Sequence, residues 1–402
     1  MALLPVEEAL ARLLSDAVAG SAESVSLAEA ADRVLAEPVV ALRTQPPFAA
    51  SAMDGYAVRS ADIATIPAEL EIVGQAPAGK QFPGIVGPDQ AVRIFTGAPV
   101  PEGADTILIQ ENTRLLGGGR IEAVETVAAD RHIRKVGLDF VEGDVLLERG
   151  RQLDAAALSL AASANHPRLP VVKAPLVAII ATGDELLPPG SALGPDQIIA
   201  SNGYGVAAIA QSVGAKVLDL GIVPDRNEAI AAAVTRALSA GADVIVTLGG
   251  ASVGDHDLIH DVLTGEGMTL DFWKIAMRPG KPLMFGRLGR TRVLGLPGNP
   301  VASLVCSHLF LKPLLAKLGG RRHTPDLRDA ALATAMTAND QRQDYVRAKA
   351  VVSDVGKLVV TPFPVQDSSM LRTLAEANAL IVRAPFAPAA EKGDACRVLM
   401  LR

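Results

Sequence analysis

Between residues 176 and 318, apolar runs alternate with helical spacing, and this limits the fold more than anything else in the 402-residue chain. Residues 176–181, 216–223, 244–248 and 292–296 read as strands. Helical spacing fills 204–213, the stretch from Asp225 through Leu238, and the segment from Pro300 to near Leu318. Strands that are apolar throughout are buried on both faces, which predicts a mostly parallel sheet in a three-layer α/β/α domain. Ligands in such sheets sit beyond the carboxyl ends of the strands. Residues 182–185, 249–257 and 297–300 are therefore expected along one rim.

The flanking regions have other patterns. Val6, Leu10, Leu13 and Leu14 share a helical face, a second helix is expected over 26–35, and helical spacing returns over 154–164. Between them lie short β-like runs at 70–73, 91–95 and 106–110, with Gly117-Gly118-Gly119 as a hairpin turn. Pro167, Pro170 and Pro175 predict a linker, and Gly319 to Pro325 marks a second break, so boundaries are expected near 172 and 324. Beyond it, alternation over 344–352, 358–361, 379–382 and 397–401 predicts a small β-barrel or sandwich.

Composition excludes several classes. At 49% apolar and 20% charged the chain can build packed cores, which rules out disorder throughout. A net charge of −6 without a basic block argues against nucleic-acid binding. Two cysteines make neither a disulfide framework nor a four-thiolate metal site. Glu7 and Glu8 stand where a secretion signal would carry positive charge, and no stretch approaches the ~20 apolar residues of a bilayer span. A cytoplasmic protein without membrane attachment is expected.

Several loops can carry chemistry. Gly249-Gly250-Ala251-Ser252-Val253-Gly254 follows one strand and precedes a helix, so it is either a tight turn or a cradle whose amides approach a phosphate. Pro297-Gly298-Asn299-Pro300 is a second strand-to-helix junction, with Pro300 suited to a first helical turn. Lys274, Arg278 and Lys281 frame a proline-constrained loop, where fixed cations bind anions at lower entropic cost. Asp54, Asp139, Glu185, Asp225 and Asp257 sit at loop positions; each alone is a turn or cap residue. Converging beside an anionic ligand, they would require a divalent cation, magnesium being the plausible one. His256 and His260 share a helical face, but the glutamate of the zinc-protease pattern is missing. Cys306 and Cys396 read as core residues.

Six segments in order resemble the molybdopterin molybdenumtransferase family, the MoeA and gephyrin E-domain type. They are residues 47–58 around Ser51-Ala52-Met53-Asp54-Gly55-Tyr56, 96–105 from Thr96-Gly97-Ala98-Pro99, Thr182-Gly183-Asp184-Glu185-Leu186, the loop 249–257, Pro279-Gly280-Lys281-Pro282, and Leu296-Pro297-Gly298-Asn299-Pro300. The chain departs from many relatives at Ala49-Ala50-Ser51, where they carry Asp-Asn-Ser, and has one acid, Asp225, where some have two.

The resemblance implies an elongated helical N-terminal domain (1–50 and 140–172), a β-rich inserted domain (51–139), an α/β domain (173–323) and a C-terminal β-barrel (324–402). It implies a homodimer whose cleft lies between the insertion of one subunit and the α/β and barrel domains of the other. The implied reaction takes adenylylated molybdopterin and molybdate, uses Mg2+, releases AMP and yields molybdenum cofactor. Carried over by position, Asp54, Thr96, Asp139, Glu185, Asp225 and Asp257 form its catalytic set; on physical grounds Glu185, Asp225 and Asp257 are the carboxylates expected to hold the metal. Gly249, Gly250, Ser252, Gly254, Lys274, Lys281, Pro297, Gly298, Asn299, Pro300, Arg347 and Ser368 contact substrate. Contact with the adenylyltransferase of the same pathway is a further expectation. Two other readings compete: an ATP-using adenylyltransferase, which would lack the Asp54 region and the barrel, and a gephyrin-like scaffold.

Overall fold

The computed structural model describes residues 3–249 and 258–401. The loop residues Gly250, Ser252, Gly254, His256 and Asp257 lie outside the described residues. Two compact units divide the chain: one comprises Met1–Glu23, Asp32–Ala36 and Val171–Arg402, the other Ser24–Ala31 and Glu37–Pro170.

At the centre of the first unit is a six-stranded sheet. Its strands are β1 (Leu176–Thr182), β2 (Lys216–Val223), β3 (Val244–Leu248), β4 (Thr269–Trp273), β5 (Met284–Leu288) and β6 (Thr291–Leu296), in spatial order β2-β1-β3-β6-β5-β4. The first four in that order are parallel, and β5 and β4 are added antiparallel. Both faces are apolar, as the strand patterns require. Val177, Ile179, Val246, Phe285 and Leu294 face a core shared with the helices Val6–Leu14 and Asn202–Gln211 and the helical stretch Pro300–Leu318. Ala178, Ile180, Ile245, Met284 and Val293 face the helices Asn227–Ser239 and Leu258–Gly265. Burying each of the valine, isoleucine, leucine, methionine and phenylalanine side chains among them stabilises the fold by about 1.5–3 kcal/mol, so both helical layers are held strongly.

The same unit contains a closed barrel of five strands, Leu327–Leu332, Gln343–Val352, Leu358–Pro362, Ala379–Arg383 and Ala395–Met400. Gln343–Val352 pairs with both Leu358–Pro362 and Ala379–Arg383, which closes the ring, and Met277–Arg278 adds to it in parallel.

The second unit has its own six-stranded sheet, in the order Thr106–Ile109, Gly55–Val58, Gln90–Ile94, Ala68–Ala76, Arg120–Ala123, Thr113–Gly117. The hairpin at Gly117-Gly118-Gly119 is present, all three with positive φ. Gly55 is obligatory in its motif: a β-carbon there would lie 2.1 Å from the Leu108 carbonyl oxygen. The helix Ala155–Ser163 is capped by Asp154, whose carboxylate accepts the Ala157 N–H.

Four local expectations are corrected. Residues 26–35 are not a helix: strand Ala22–Ser26 leads into a single turn, Leu27–Glu29. Asp32 then takes φ of 66°, and Leu35 bridges to Val171. The expected linker contains a strand, Arg168–Val172, with Leu169 and Val171 fully buried. Asp225 does not cap the next helix; the cap position is Arg226. Finally, Pro300–Leu318 is long and apolar enough to cross a bilayer by composition, but it is mostly buried inside the fold, as a core helix is. It contains a π-helical turn at Ser307–Leu311.

Candidate active site

A cavity of about 760 Å³ opens beyond the carboxyl ends of β1, β3 and β6. Thr182, Gly183, Glu185, Asp225, Gly249, Pro297, Gly298, Asn299 and Pro300 line it, so three separate strand ends meet there. Gly249 has φ of 91°, and a β-carbon would come within 2.9 Å of the Thr182 carbonyl oxygen. Only glycine lets β3 turn this close to β1. Gly183, with φ of 148°, lies under the Glu185 carboxylate, which is folded back to within 2.5 Å of its missing β-carbon.

Two helices start at this cavity. Asn299 is the cap of one, in extended geometry, and Pro300 opens its first turn. Asn202 begins the other, and its amide donates to the Gly298 carbonyl at 2.8 Å, tying the two starts together. Both helices turn their partially positive ends to the cavity, which suits phosphate or another oxyanion.

Opposite charge is present as well. The Asp225 carboxyl is held above the usual carboxylate range by burial first, then by repulsion from Asp184 and Glu185. Its backbone N–H donates to Asp184 Oδ1 at 3.2 Å. Among the described residues no group of three or more His, Cys, Asp or Glu is arranged to hold a metal ion. Glu185 and Asp225 nevertheless supply the hard oxygen donors that Mg2+ takes, and that ion needs only one or two carboxylates when phosphate oxygens complete its shell.

The remaining carried-over residues are placed differently. Lys281 is exposed on the loop whose Pro282 lines the cavity. Lys274, at φ of 80°, stacks its ammonium 5.7 Å from the Trp273 ring. Arg347 is almost fully buried and bonded into the barrel, and the Ser368 carbonyl accepts the Val301 N–H at 3.0 Å. His260 stacks on Trp273 at 4.8 Å. Cys306 is buried and Cys396 partly so. In the second unit, Asp54 Oδ1 accepts both the backbone N–H and the hydroxyl of Thr96, at 2.7 and 2.8 Å. Those two bonds draw the Asp54 carboxyl below its ordinary value. Asp139 is exposed on a turn, its N–H bonded to the Gln45 carbonyl at 3.0 Å.

Residues 198–203, Ser369 and Leu371 also line the cavity and were not singled out from the sequence. The available signal was Ser201-Asn202, a helix-start pair just before the apolar spacing.

A mostly parallel sheet with an anion-compatible cavity at its strand ends defines an α/β enzyme scaffold. Family models match along nearly the whole chain: MoeA N-terminal region (domains I and II) over 4–165, probable molybdopterin binding domain over 178–317, and MoeA C-terminal region (domain IV) over 329–401. A Haemophilus influenzae protein named molybdopterin molybdenumtransferase is 36% identical over 90% of this chain and 89% of its own. The Bacillus subtilis protein of that name is 35% identical over 99% and 94%. A crystal structure of the molybdopterin biosynthesis MoeA protein from Pyrococcus horikoshii superposes with a TM-score of 0.85 at 27% identity, covering 100% of both chains. The chain belongs to the molybdopterin molybdenumtransferase family, whose curated members are named as transferases.

Proposed function

We propose that this protein inserts molybdenum from molybdate into adenylylated molybdopterin, with Mg2+-dependent release of AMP. The observation that carries the reading is the mixed character of the cavity: two helix starts suited to phosphate face the carboxylates of Glu185 and Asp225. A phosphoanhydride next to two carboxylates is repelled unless a cation lies between them. Mg2+ held by Glu185 and Asp225, with Asp257 as a third donor, would neutralise phosphate charge at the bond to be broken.

In this reading the chain's own groups divide the work. The amides of Gly298 and Asn299 hold phosphate oxygens between Pro297 and Pro300, Gly249 lets the backbone come close to them, and Gly250, Ser252 and Gly254 continue that cradle. Lys274 and Lys281 hold molybdate, a tetrahedral dianion, and Arg347 and Ser368 act from the barrel side. Asp54, Thr96 and Asp139 complete the catalytic set. The protein works as a cytoplasmic homodimer, the inserted unit of one protomer completing the cleft of the other, and meets the pathway's adenylyltransferase to receive substrate. The four-part division at 50, 139, 172 and 323 belongs to the same reading.

The test is AMP release from adenylylated molybdopterin by the purified protein with Mg2+, with and without molybdate. Molybdate-dependent release, with a product that activates an apo-molybdoenzyme, is expected. A folded protein that releases no AMP under either condition would exclude the reading.

A further inference from the structure

Three strand ends of the inserted sheet meet at one rim of the second unit: the start of Gly55–Val58, the end of Gln90–Ile94 and the end of Thr106–Ile109. Asp54 precedes the first, Thr96 lies just past the second, and Gln110 follows the third. Arg93 stands opposite Tyr56 in register, and its guanidinium carbon lies 5.1 Å from the centroids of both the Tyr56 and the Phe95 rings. Contact with two aromatic rings holds the planar cation in place. From there Nη1 donates to the Gly55 carbonyl at 3.0 Å, and Nη2 donates to Gln110 Oε1 at 2.7 Å. The Gln110 N–H in turn donates to the Asp54 carbonyl at 3.2 Å. One guanidinium thus holds both peptide groups that follow Asp54, the second directly and the first through Gln110.

The Asp54 side chain is exposed. Its Oδ1 is taken up by the two Thr96 bonds, whereas Oδ2 has no hydrogen-bond partner among the described residues and is the oxygen left for a ligand. Thr96 belongs to a different strand, so it directs the carboxylate only while the backbone at Asp54 stays in place opposite it. The Thr96 bonds first, and after them the nearby Arg93 charge, keep this carboxyl below its ordinary value. Lysine at position 93 would keep the charge and lose the geometry. An ammonium is a point donor, without the flat fork that reaches two acceptors while resting on two rings.

We propose that Arg93 is a positioning residue for Asp54: its guanidinium bridges the Gly55 carbonyl and the Gln110 side chain, and so fixes the direction in which Asp54 Oδ2 meets the substrate. This rests on the reading that places Asp54 in the catalytic set. Misplacing a reacting group by about 1 Å costs on the order of 100-fold in rate, so such a brace acts on kcat more than on binding.

The test uses the full chain, with hydrogen exchange of individual amides and AMP release from adenylylated molybdopterin. Arg93→Lys should exchange the Thr96 and Gln110 amides at least about ten-fold faster than the parent, with the rest of the inserted sheet unchanged. It should lower kcat at least about ten-fold and leave the substrate half-saturation within about three-fold. Combined with Asp54→Ala, it should change the residual rate by less than about two-fold, because a residue that acts through Asp54 then has nothing to position. Gln110→Ala removes one arm of the bridge from an exposed position and should shift exchange and kcat the same way, by at least about three-fold. Unchanged exchange at Thr96 and Gln110 overturns the proposal. Faster exchange spread evenly over the sheet also overturns it, since that marks a purely structural role. A full further loss of rate in the Asp54→Ala background does the same. Should Arg93→Lys not fold, Gln110→Ala with the parent's exchange and kcat overturns it. A parent that releases no AMP, with exchange quickened at Thr96 and Gln110 alone in the variant, counts against the proposed reaction and not against this inference.

Discussion

The thiol of Cys306 occupies the space that a β-carbon on Gly280 would need: built there, that carbon lies 2.5 Å from Sγ and 3.1 Å from Met277 Cε. Gly280 has φ of 111°, and its carbonyl accepts a weak bond from the thiol at 3.9 Å. The Pro279–Pro282 turn therefore rests directly on the helix that begins at Pro300. Two segments that border the cavity are braced by one contact.

Gly280→Ala is expected to lower stability by about 2–5 kcal/mol, combining backbone strain with overpacking. Cys306→Ala in the same chain should recover only part of this, because it frees the space and leaves the strain. A double-mutant cycle by denaturant unfolding measures the coupling, and additive effects would show that the contact is not shared.

Glu185→Gln and Asp225→Asn should each raise the Mg2+ needed for half-maximal AMP release, by about ten-fold or more. Asp225→Asn should also raise the melting temperature at pH 8. Its carboxyl is held above the usual range by burial and by Asp184 and Glu185, so its ionised form works against the fold. A lower melting temperature with unchanged Mg2+ dependence would remove both residues from the metal.

Lys281→Ala should chiefly raise the molybdate requirement, by about ten-fold for one lost charge-assisted bond. Asp54→Ala and Asp257→Ala should lower AMP release at every molybdate concentration. Titrating molybdate against each variant separates the two behaviours, and an identical molybdate curve for Lys281→Ala and the parent would release that lysine from its role.

His308, in the π-helical turn, is pushed down to about 4, by burial first and then by Lys312 and His323. The unfolded chain holds this proton at an ordinary pKa of about 6.5, so between those values it binds more protons than the folded chain, and stability rises with pH. The contribution is complete above about pH 6.5 and is lost as pH falls toward 4. His308→Gln should flatten that acid limb by about 2–3 kcal/mol in unfolding free energy measured from pH 7 to 4. An unchanged slope would show that His308 titrates normally.

The α/β domain was legible because its strands are buried on both sides: the runs at 216–223 and 244–248 coincide with strand ends to the residue. The meeting of the 182–185 segment with the 297–300 junction followed from the direction of parallel strands, whereas the place of Asp225 in the same cavity wall could not be read from the sequence. Residues 26–35 misled because Leu27, Ala30 and Val34 keep helical spacing, while Asp32 adopts a left-handed backbone that no spacing reveals. The surroundings of Arg347 were equally hidden. Its partners come from 19 to 23 residues downstream, through a loop with no periodicity to read.

The helix Val6–Leu14 packs with strands and helices that end only at Leu318, and Leu4 bridges to Ile275. The second unit, by contrast, is complete at Pro170. During synthesis, then, the ribosome delivers every strand of the inserted sheet before it delivers the surfaces that receive the first helix. The amphipathic start of the chain stays without its native docking partners while more than half of the protein is made. Until β5, β6 and the Pro300 helix have emerged, Val6, Ala9 and Leu13 are apolar surface without the core that buries them in the folded protein.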